Sequence, residues 1–227
     1  WTHFRRGAVG TAALSLWFYS TSVLPLGTAT ALGYTSSLFL AAIVLAAALR
    51  AKRPVDPRLF ATVLLGFAGV LLVLRPSFGD GEWLGAVAGL LCGLLSATAY
   101  WYVRDLARRG EPEWRIVFYF SAAALALGLG GSLITGFTAH TASGGMLLAT
   151  VGITALLAQL AMTRAYALGH ALANASLQYS AIVFAAVIGM VVFGDRIAPI
   201  GWTGMAIVIV SGALAGWLAQ QRPRTKP

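Results

Sequence analysis

Residues 28–49 have the sequence TATALGYTSSLFLAAIVLAAAL, a run of 22 residues without one charged side chain. An α-helix rises 1.5 Å per residue, so this run forms a helix of about 33 Å, enough to cross a hydrocarbon core of about 30 Å. The whole chain is similar, with 59% hydrophobic and 10% charged residues. In soluble domains about 45–50% of the residues are hydrophobic and about 25% are charged. The sequence therefore predicts an all-α integral membrane protein whose surroundings are the lipid bilayer.

Eight apolar stretches of this kind are separated by charged residues, prolines and glycines. They cover residues 7–23, 28–49, 59–74, 84–103, 116–134, 146–163, 171–193 and 200–219. A proline inside a helix removes a backbone hydrogen bond, and all eight prolines fall in the links or the C-terminal tail. The pattern predicts a polytopic bundle with eight visible transmembrane helices.

The basic residues predict how this bundle is oriented. If the chain starts in the cytoplasm, fourteen of its sixteen Lys and Arg residues lie on the cytoplasmic side, Arg5 and Arg6 among them, and only Arg75 and Arg196 lie outside. Short cytoplasmic loops are enriched in Lys and Arg, so we expect both ends of the chain in the cytoplasm. The net charge of +9 is then an orientation signal and not the footprint of a nucleic acid. The excess of Arg over Lys favours a GC-rich bacterial source, hence the bacterial inner membrane.

Several kinds of chemistry are disfavoured by the residues that the spans contain. Cys92 is the single cysteine, and no metal-ligand spacing of Cys or His occurs, so we expect no disulfide, metal or cofactor. None of the predicted spans has an Asp, Glu, Lys or Arg in its interior. A membrane enzyme needs a nucleophile, base or metal set, and the spans offer none.

Two parts of the chain resemble each other. Residues 34–39 (YTSSLF) recur as residues 179–184 (YSAIVF), and residues 66–71 (GFAGVL) correspond to residues 210–214 (VSGAL). The link within the first copy is predicted to lie inside, and the link within the second copy outside. Similar units of opposite orientation are typical of inverted-repeat transporters, which bind their solute near the membrane midplane between the repeats.

These segments resemble the EamA-type repeat of the drug/metabolite transporter superfamily. The first-repeat pattern is carried by Arg6-Gly7, Phe18-Tyr19, Leu24-Pro25-Leu26, Ala29, Ala31-Leu32, Tyr34-Thr35-Ser36, Leu38-Phe39, Lys52-Arg53, residues 66–72 and Arg75-Pro76. The second-repeat pattern is carried by Thr163-Arg164-Ala165-Tyr166, Gly169, Tyr179 and Gly194-Asp195-Arg196. Two departures are Ser37, where the family has proline, and Lys52, where it has glutamate.

The resemblance implies ten helices in five-plus-five inverted repeats. Residues 1–76 then form the C-terminal part of the first repeat with three helices, residues 83–219 the second repeat with five, and residues 220–227 a basic cytoplasmic tail. Since eight helices are visible, the first two are expected to be missing from this chain. The resemblance also implies secondary transport of a small organic metabolite: an amino acid, an amino-acid derivative or a nucleoside derivative such as S-adenosylmethionine.

Neutral polar and aromatic side chains recur at helical spacing and are the candidate solute-binding residues. They are Trp17, Tyr19, Tyr34, Ser37, Ser96, Tyr100, Gln159, Asn174, Gln178 and Tyr179. Residues at i and i+4 share one helix face, so these side chains can line a cavity and hydrogen-bond a solute. The alternative is that Ser, Thr and Asn join helices and that Tyr lies at the membrane interface.

Two glycine series predict close helix contacts. Gly85, Gly89 and Gly93 form one series, and Gly212 with Gly216 forms another. Small residues at this spacing let helix backbones approach each other, within the chain or in a homodimer. A structural or regulatory membrane subunit that packs against a partner is therefore the alternative to a transporter.

Overall fold

A computed structural model describes residues 1–52, 56–75, 82–188, 190–191 and 198–220. Within these residues the chain forms nine α-helices and no strand. The helices are α1 (Thr2–Val23), α2 (Leu26–Arg50), α3 (Pro57–Leu74), α4 (Trp83–Arg108), α5 (Glu113–Thr135), α6 (Ala142–Leu168), α7 (Ala171–Gln178), α8 (Ser180–Ile188) and α9 (Pro199–Gln220).

Seven helical segments of the described chain are long and apolar enough to cross a membrane: α2 to α6, the segment Ala171–Ile188 that joins α7 and α8, and α9. The prediction of an all-helical, multi-pass membrane protein is confirmed. The predicted count of eight spans is corrected to seven by this criterion. Helix α1 is long enough, but Arg5, Arg6 and its Ser and Thr residues make it less apolar than the other helices.

The prolines of the described chain lie outside the predicted spans, as predicted, and the structure places them at or just before the starts of helices. Pro57 is the first residue of α3, and the Asp56 carboxylate before it accepts a hydrogen bond of 2.9 Å from the backbone N–H of Arg58. Pro25 and Pro112 precede α2 and α5. The first turn of a helix has backbone N–H groups without intrahelical partners, so proline removes no hydrogen bond there. Residues 54 and 76 and the two tail prolines lie outside the described residues.

The predicted span 171–193 is interrupted at Tyr179, between α7 and α8. In a regular helix the Tyr179 N–H would bond to the carbonyl of Ala175, but it bonds to the Ser176 carbonyl at 3.3 Å. The Ala175 carbonyl instead accepts a hydrogen bond of 2.9 Å from the Ser37 hydroxyl on α2. A side chain that enters the backbone hydrogen-bond ladder interrupts a helix. Residues 189 and 192–193 of the predicted span lie outside the described residues.

The chain divides into two compact units. Unit 1 contains residues 1–12 and 98–169, and unit 2 contains residues 13–97 and the chain from residue 170 onward. Helices α1 and α4 contribute residues to both units. The units follow spatial packing, whereas the predicted repeat boundaries follow sequence similarity, so those boundaries stay a prediction.

In unit 2 the most extensive helix packing is between α3 and α9. The contact is reciprocal: a Cβ at Gly69 would lie 2.8 Å from the Gly204 carbonyl oxygen, and one at Gly204 would lie 2.7 Å from the Gly69 carbonyl oxygen. Both distances are too short for a real Cβ, so the backbones touch only because both residues are glycine.

The Gly85, Gly89 and Gly93 series also packs within unit 2. A Cβ at Gly85 would lie 2.9 Å from Leu24, and one at Gly89 would lie 2.8 Å from Leu32. The predicted close approach of α4 to neighbouring segments is therefore confirmed for this series. By contrast, a Cβ at Gly216 would meet no atom within 4 Å in the described structure.

Candidate functional site

A buried arginine lies in unit 1. Arg6 on α1 is 3% exposed, and its Nη2 atom donates a hydrogen bond of 3.3 Å to the side-chain oxygen of Gln159 on α6. The guanidinium carbon stands 4.0 Å from the ring centroid of Phe120 on α5. Tyr100 on α4 lies near the same group. We call Arg6, Tyr100, Phe120 and Gln159 the Arg6 cluster.

The Arg6 guanidinium is incompletely paired. Its Nε and Nη1 atoms are buried and donate to no acceptor in the part of the chain that the structure describes. Removing a charge from water is costly unless hydrogen bonds and an opposite charge compensate. Arginine stays charged in proteins, so the cluster holds a positive charge whose compensation is only partial.

Within the described residues, two of the three carboxylates of unit 1, those of Asp105 and Glu111 but not that of Glu113, pair with other cations. Asp105 lies 2.8 Å from Arg109, and Glu111 lies 2.9 Å from Arg115 and 3.4 Å from His3. Desolvation raises the pKa of Glu111, but the hydrogen bond from Arg115 and the neighbouring His3 outweigh it and hold this pKa below its usual value. No ion pair to Arg6 occurs among the described residues.

An aromatic pair extends the Arg6 cluster. The rings of Tyr100 and Tyr166 stack with centroids 5.1 Å apart and an interplanar angle of 12°. Tyr100 and Gln159 were both predicted as solute-binding residues from their helical spacing, and in unit 1 both contact or interact with Arg6.

Arg6 itself was not predicted as a site residue. The sequence placed it before the first span, among the charges that set orientation, and predicted spans without fixed charge. In the structure Arg6 lies within α1 and is buried, whereas its neighbour Arg5 is exposed. One turn later Gly10 leaves the room for it, since a Cβ there would overlap Arg6 Nη1 and lie 2.9 Å from Phe120. The Arg6–Gly10 spacing is the signal that could have identified it.

A cavity of about 500 Å³ lies between α1 and α5 of unit 1, and His3, Phe4, Gly7 and Tyr119 are among its lining residues. It is an open groove, and no residue of the Arg6 cluster is among its lining residues. Its walls are mostly apolar and aromatic, which suits the organic part of a small solute.

A second group of predicted residues meets in unit 2. The ring of Tyr179, at the break between α7 and α8, lies 5.8 Å from the ring of Tyr34 and 6.3 Å from that of Phe67. Tyr179 is 0% exposed. A Cβ at Gly66 would lie 2.5 Å from its ring, so the tyrosine fills all the space that this glycine leaves. We call Tyr34, Ser37, Phe67 and Tyr179 the Tyr179 cluster.

The Tyr179 hydroxyl is buried and finds no hydrogen-bond partner of acceptable geometry in the described chain. Ser37 lies beside it, and the Ser37 hydroxyl donates its own proton to the Ala175 carbonyl. Nearby, the Ser176 hydroxyl lies 3.2 Å from the Thr62 carbonyl oxygen and 3.4 Å from that of Ser211. These serines connect α7 to α2, α3 and α9, which is the helix-joining alternative considered above.

The other five predicted residues also lie in unit 2. Trp17 packs edge-on against Phe18, Tyr19 is 45% exposed, and the Ser96 hydroxyl lies 3.9 Å from the Cys92 sulfur. Asn174 and Gln178 are half-buried on α7. The described residues contain no group of three or more His, Cys, Asp or Glu that could hold a metal ion.

Comparison with family models gives no match. Comparison with curated proteins gives several relatives. The pseudopaline exporter CntI of Pseudomonas aeruginosa is 27% identical over 206 residues, which cover 91% of this chain and 71% of the exporter. An uncharacterized transporter of Helicobacter pylori is 27% identical over 216 residues, or 92% of this chain and 71% of that protein. A riboflavin transporter of Rhizobium johnstonii is 26% identical over 227 residues, or 100% of this chain and 73% of that protein.

One solved crystal structure has the same fold, with a TM-score of 0.81 over 98% of this chain and 77% of the other, at 20% sequence identity. The named relatives are membrane transporters and not enzymes. Together with the seven apolar helices, they support a multi-pass membrane protein with a general transport function. The expectation of a non-enzymatic transporter is confirmed at this level.

Proposed function

We propose that the chain is a secondary transporter that moves a small organic metabolite across the bacterial inner membrane by alternating access. The observation that carries this proposal is the similarity to named transporters over at least 91% of the chain. A helical bundle that contains buried polar clusters, and whose described residues offer no metal-ligand set, is suited to moving a solute unchanged.

The mechanism that we propose is a rocking motion of two EamA-type inverted repeats, residues 1–76 and 83–219, with a cytoplasmic C-terminus. Two features of unit 2 support it. Tyr34 and Tyr179, which occupy matching places in the two similar segments, touch each other, and α3 and α9, which carry the other two similar segments, touch at Gly69 and Gly204. Pairs of this kind are expected where symmetric halves meet, which is where inverted-repeat transporters bind their solutes.

The solute classes that we propose are amino acids, amino-acid derivatives and nucleoside derivatives such as S-adenosylmethionine. The relatives' names add pseudopaline and riboflavin to the panel that should be tested. The ten predicted residues remain the proposed solute contacts, with Tyr100 and Gln159 in unit 1 and the others in unit 2.

Flux measurements in proteoliposomes test the proposal. Labelled members of the panel are offered to wild type and to the variants Tyr34→Phe and Gln178→Ala. Tyr102→Phe is the matched control, because Tyr102 is half-buried on α4 and is not a proposed solute contact. We expect flux of one solute class, reduced in the two variants and unchanged in the control, with equal insertion of all proteins.

The alternative function is a structural or regulatory membrane subunit. The observation that favours it is the apolar surface of α6, whose buried residues in the described structure are only Thr163 and Tyr166, near its C-terminal end. A subunit of this kind would show no flux of any panel member, with or without a proton gradient, and that result would contradict the transport proposal.

A further inference from the structure

The Arg6 cluster buries a positive charge, and no negatively charged group of the cluster compensates it. Phe120 supplies a cation–π contact, and Gln159 accepts one hydrogen bond, but both are neutral. Two guanidinium nitrogens still have no acceptor in the described residues. The groups that best complement a guanidinium are carboxylates and phosphates, which accept its hydrogen bonds and cancel its charge.

A purely orienting role does not explain this burial. Arg5, the preceding residue, is exposed and contributes the same positive charge to the positive-inside pattern. A structural role would be served by a carboxylate of the protein itself. Asp105 and Glu111 of the same unit instead pair with Arg109 and Arg115, which leaves Arg6 available.

The surroundings indicate which anion fits. The described residues of the cluster contain one cation, which balances a singly charged group better than a doubly charged phosphate. Phe120 and the stacked Tyr100 and Tyr166 rings place apolar, aromatic surface beside the guanidinium. The open groove of about 500 Å³ between α1 and α5 of the same unit offers space for an organic group of small-metabolite size.

We propose that the Arg6 cluster is a binding site for the carboxylate group of the solute, which carries an apolar or aromatic portion next to that group. Arg6 donates hydrogen bonds to the carboxylate, and Gln159 holds the guanidinium in place. This inference rests on the proposed transport function and narrows its solute class to singly charged organic carboxylates. Since Arg6 is 3% exposed, the solute reaches it when the Arg6 and Phe120 side chains turn aside.

Ligand-dependent thermal stability tests the site directly. The purified protein in detergent is heated with N-acetyl-L-phenylalanine or with its amide, two probes of nearly equal shape that differ by one negative charge. We expect the acid to raise the Tm of wild type and the amide to leave it unchanged. Truncating one partner of a buried charged pair costs several kcal/mol, so the acid should bind Arg6→Gln about 30-fold more weakly or worse. Arg5→Gln, the matched exposed control, should behave as wild type.

A second variant keeps the test decisive if Arg6→Gln does not fold. In Gln159→Glu a carboxylate stands at the position from which Gln159 now accepts the Arg6 hydrogen bond. We expect this variant to have a higher Tm than wild type without any probe, and to lose the response to the acid, because the site holds its own carboxylate. An unchanged response to the acid in Gln159→Glu, or an equal or absent response to both probes in wild type, would overturn the proposal.

The same preparations distinguish failure of this inference from failure of the transport function. Flux of a panel member that is unaffected by Arg6→Lys and Arg6→Gln would overturn the carboxylate site and leave transport standing. Acid-specific stabilisation that depends on Arg6, without flux of any panel member, would support the site and contradict the transport function.

Discussion

The Arg6 cluster and the Tyr179 cluster are both buried polar groups, but they are built in opposite ways. The Tyr179 cluster is neutral and tightly filled: Gly66 has no room for a Cβ beside the Tyr179 ring, and neighbouring serines donate to backbone carbonyls. The Arg6 cluster is charged and incompletely satisfied, and its neighbours are the ends of flexible side chains. The difference indicates that Ser37 and Ser176 join helices, whereas Arg6 keeps hydrogen-bonding capacity for a ligand.

The largest change in stability that we expect comes from substituting Gly66 or Gly10, the two glycines that leave room for these clusters. Gly66→Ala should lower the free energy of unfolding by about 1–3 kcal/mol, because the new methyl group would lie 2.5 Å from a ring that cannot move aside. Gly10→Ala should cost less, since it displaces the far end of Arg6 and one edge of Phe120. Thermal or chemical unfolding in detergent measures both.

Gly128→Ala on α5 is the control for these variants. A Cβ at Gly128 would meet no atom within 4 Å, and alanine favours a helix over glycine by about 0.5–1 kcal/mol, so this change should be neutral or slightly stabilising. If Gly10→Ala destabilised the protein more than Gly66→Ala, the contrast between a rigid and an adaptable cluster would be wrong.

Tyr179→Phe should have the next largest effect on the free energy of unfolding, and this effect should be an increase. The Tyr179 hydroxyl is buried without a hydrogen-bond partner of acceptable geometry among the described residues. Removing an unsatisfied polar group and keeping the ring should stabilise the fold by about 1 kcal/mol. The measurement is the Tm of the variant compared with that of Tyr119→Phe, in which an exposed hydroxyl is lost.

The solute flux of Tyr179→Phe shows whether the Tyr179 hydroxyl serves helix packing or solute binding. A variant that is more stable and transports normally would assign Tyr179 to helix packing. A variant that is more stable but transports poorly would show that the hydroxyl serves the solute, as expected if Tyr179 is a solute contact. A variant that is less stable would show that the hydroxyl has a partner in the folded protein.

The fold class was predictable from the sequence because a membrane imposes simple requirements. The length of each apolar stretch indicates where a helix lies, and prolines and charged residues mark its ends. Seven of the eight predicted spans are therefore present. Helix α1 is the exception because Arg5, Arg6 and its hydroxyl side chains lower its mean hydropathy, although it forms a helix of 22 residues.

The candidate sites were predictable only in part. The helical period shows which face of its own helix a residue lies on, but not which residue of another helix it contacts. The spacing grouped Tyr34 with Ser37 on α2, and both are in the Tyr179 cluster. It gave no indication that Gln159 would meet Arg6, since 153 positions separate them. Whether a charge at the edge of a span is solvated or buried depends on the other helices, and for Arg6 it is decided by Phe120 and Gly10.

The helix break at Tyr179 was unpredictable for a similar reason. A substitution that restores the regular helix there should have the smallest effect on stability that we expect. Neither proline nor glycine occurs at the break, which follows from the hydrogen bond that Ser37 donates to the Ala175 carbonyl. Ser37→Ala removes this bond and leaves the carbonyl free to accept the Tyr179 N–H, as in a continuous helix. Because one hydrogen bond replaces another, the net loss of stability should be at most about 0.5 kcal/mol.

Amide hydrogen exchange of the segment around Tyr179 distinguishes this explanation from simple loss of a contact. If Ser37 causes the break, exchange at Tyr179 should slow in Ser37→Ala while the Tm changes little. Ser176→Ala is the matched control on the other side of α7, because its hydroxyl meets the carbonyls of Thr62 and Ser211 and leaves the Ala175 carbonyl untouched. Faster exchange in both variants would show that the serines only join helices. The break would then have to arise from the packing of the Tyr179 ring against Gly66.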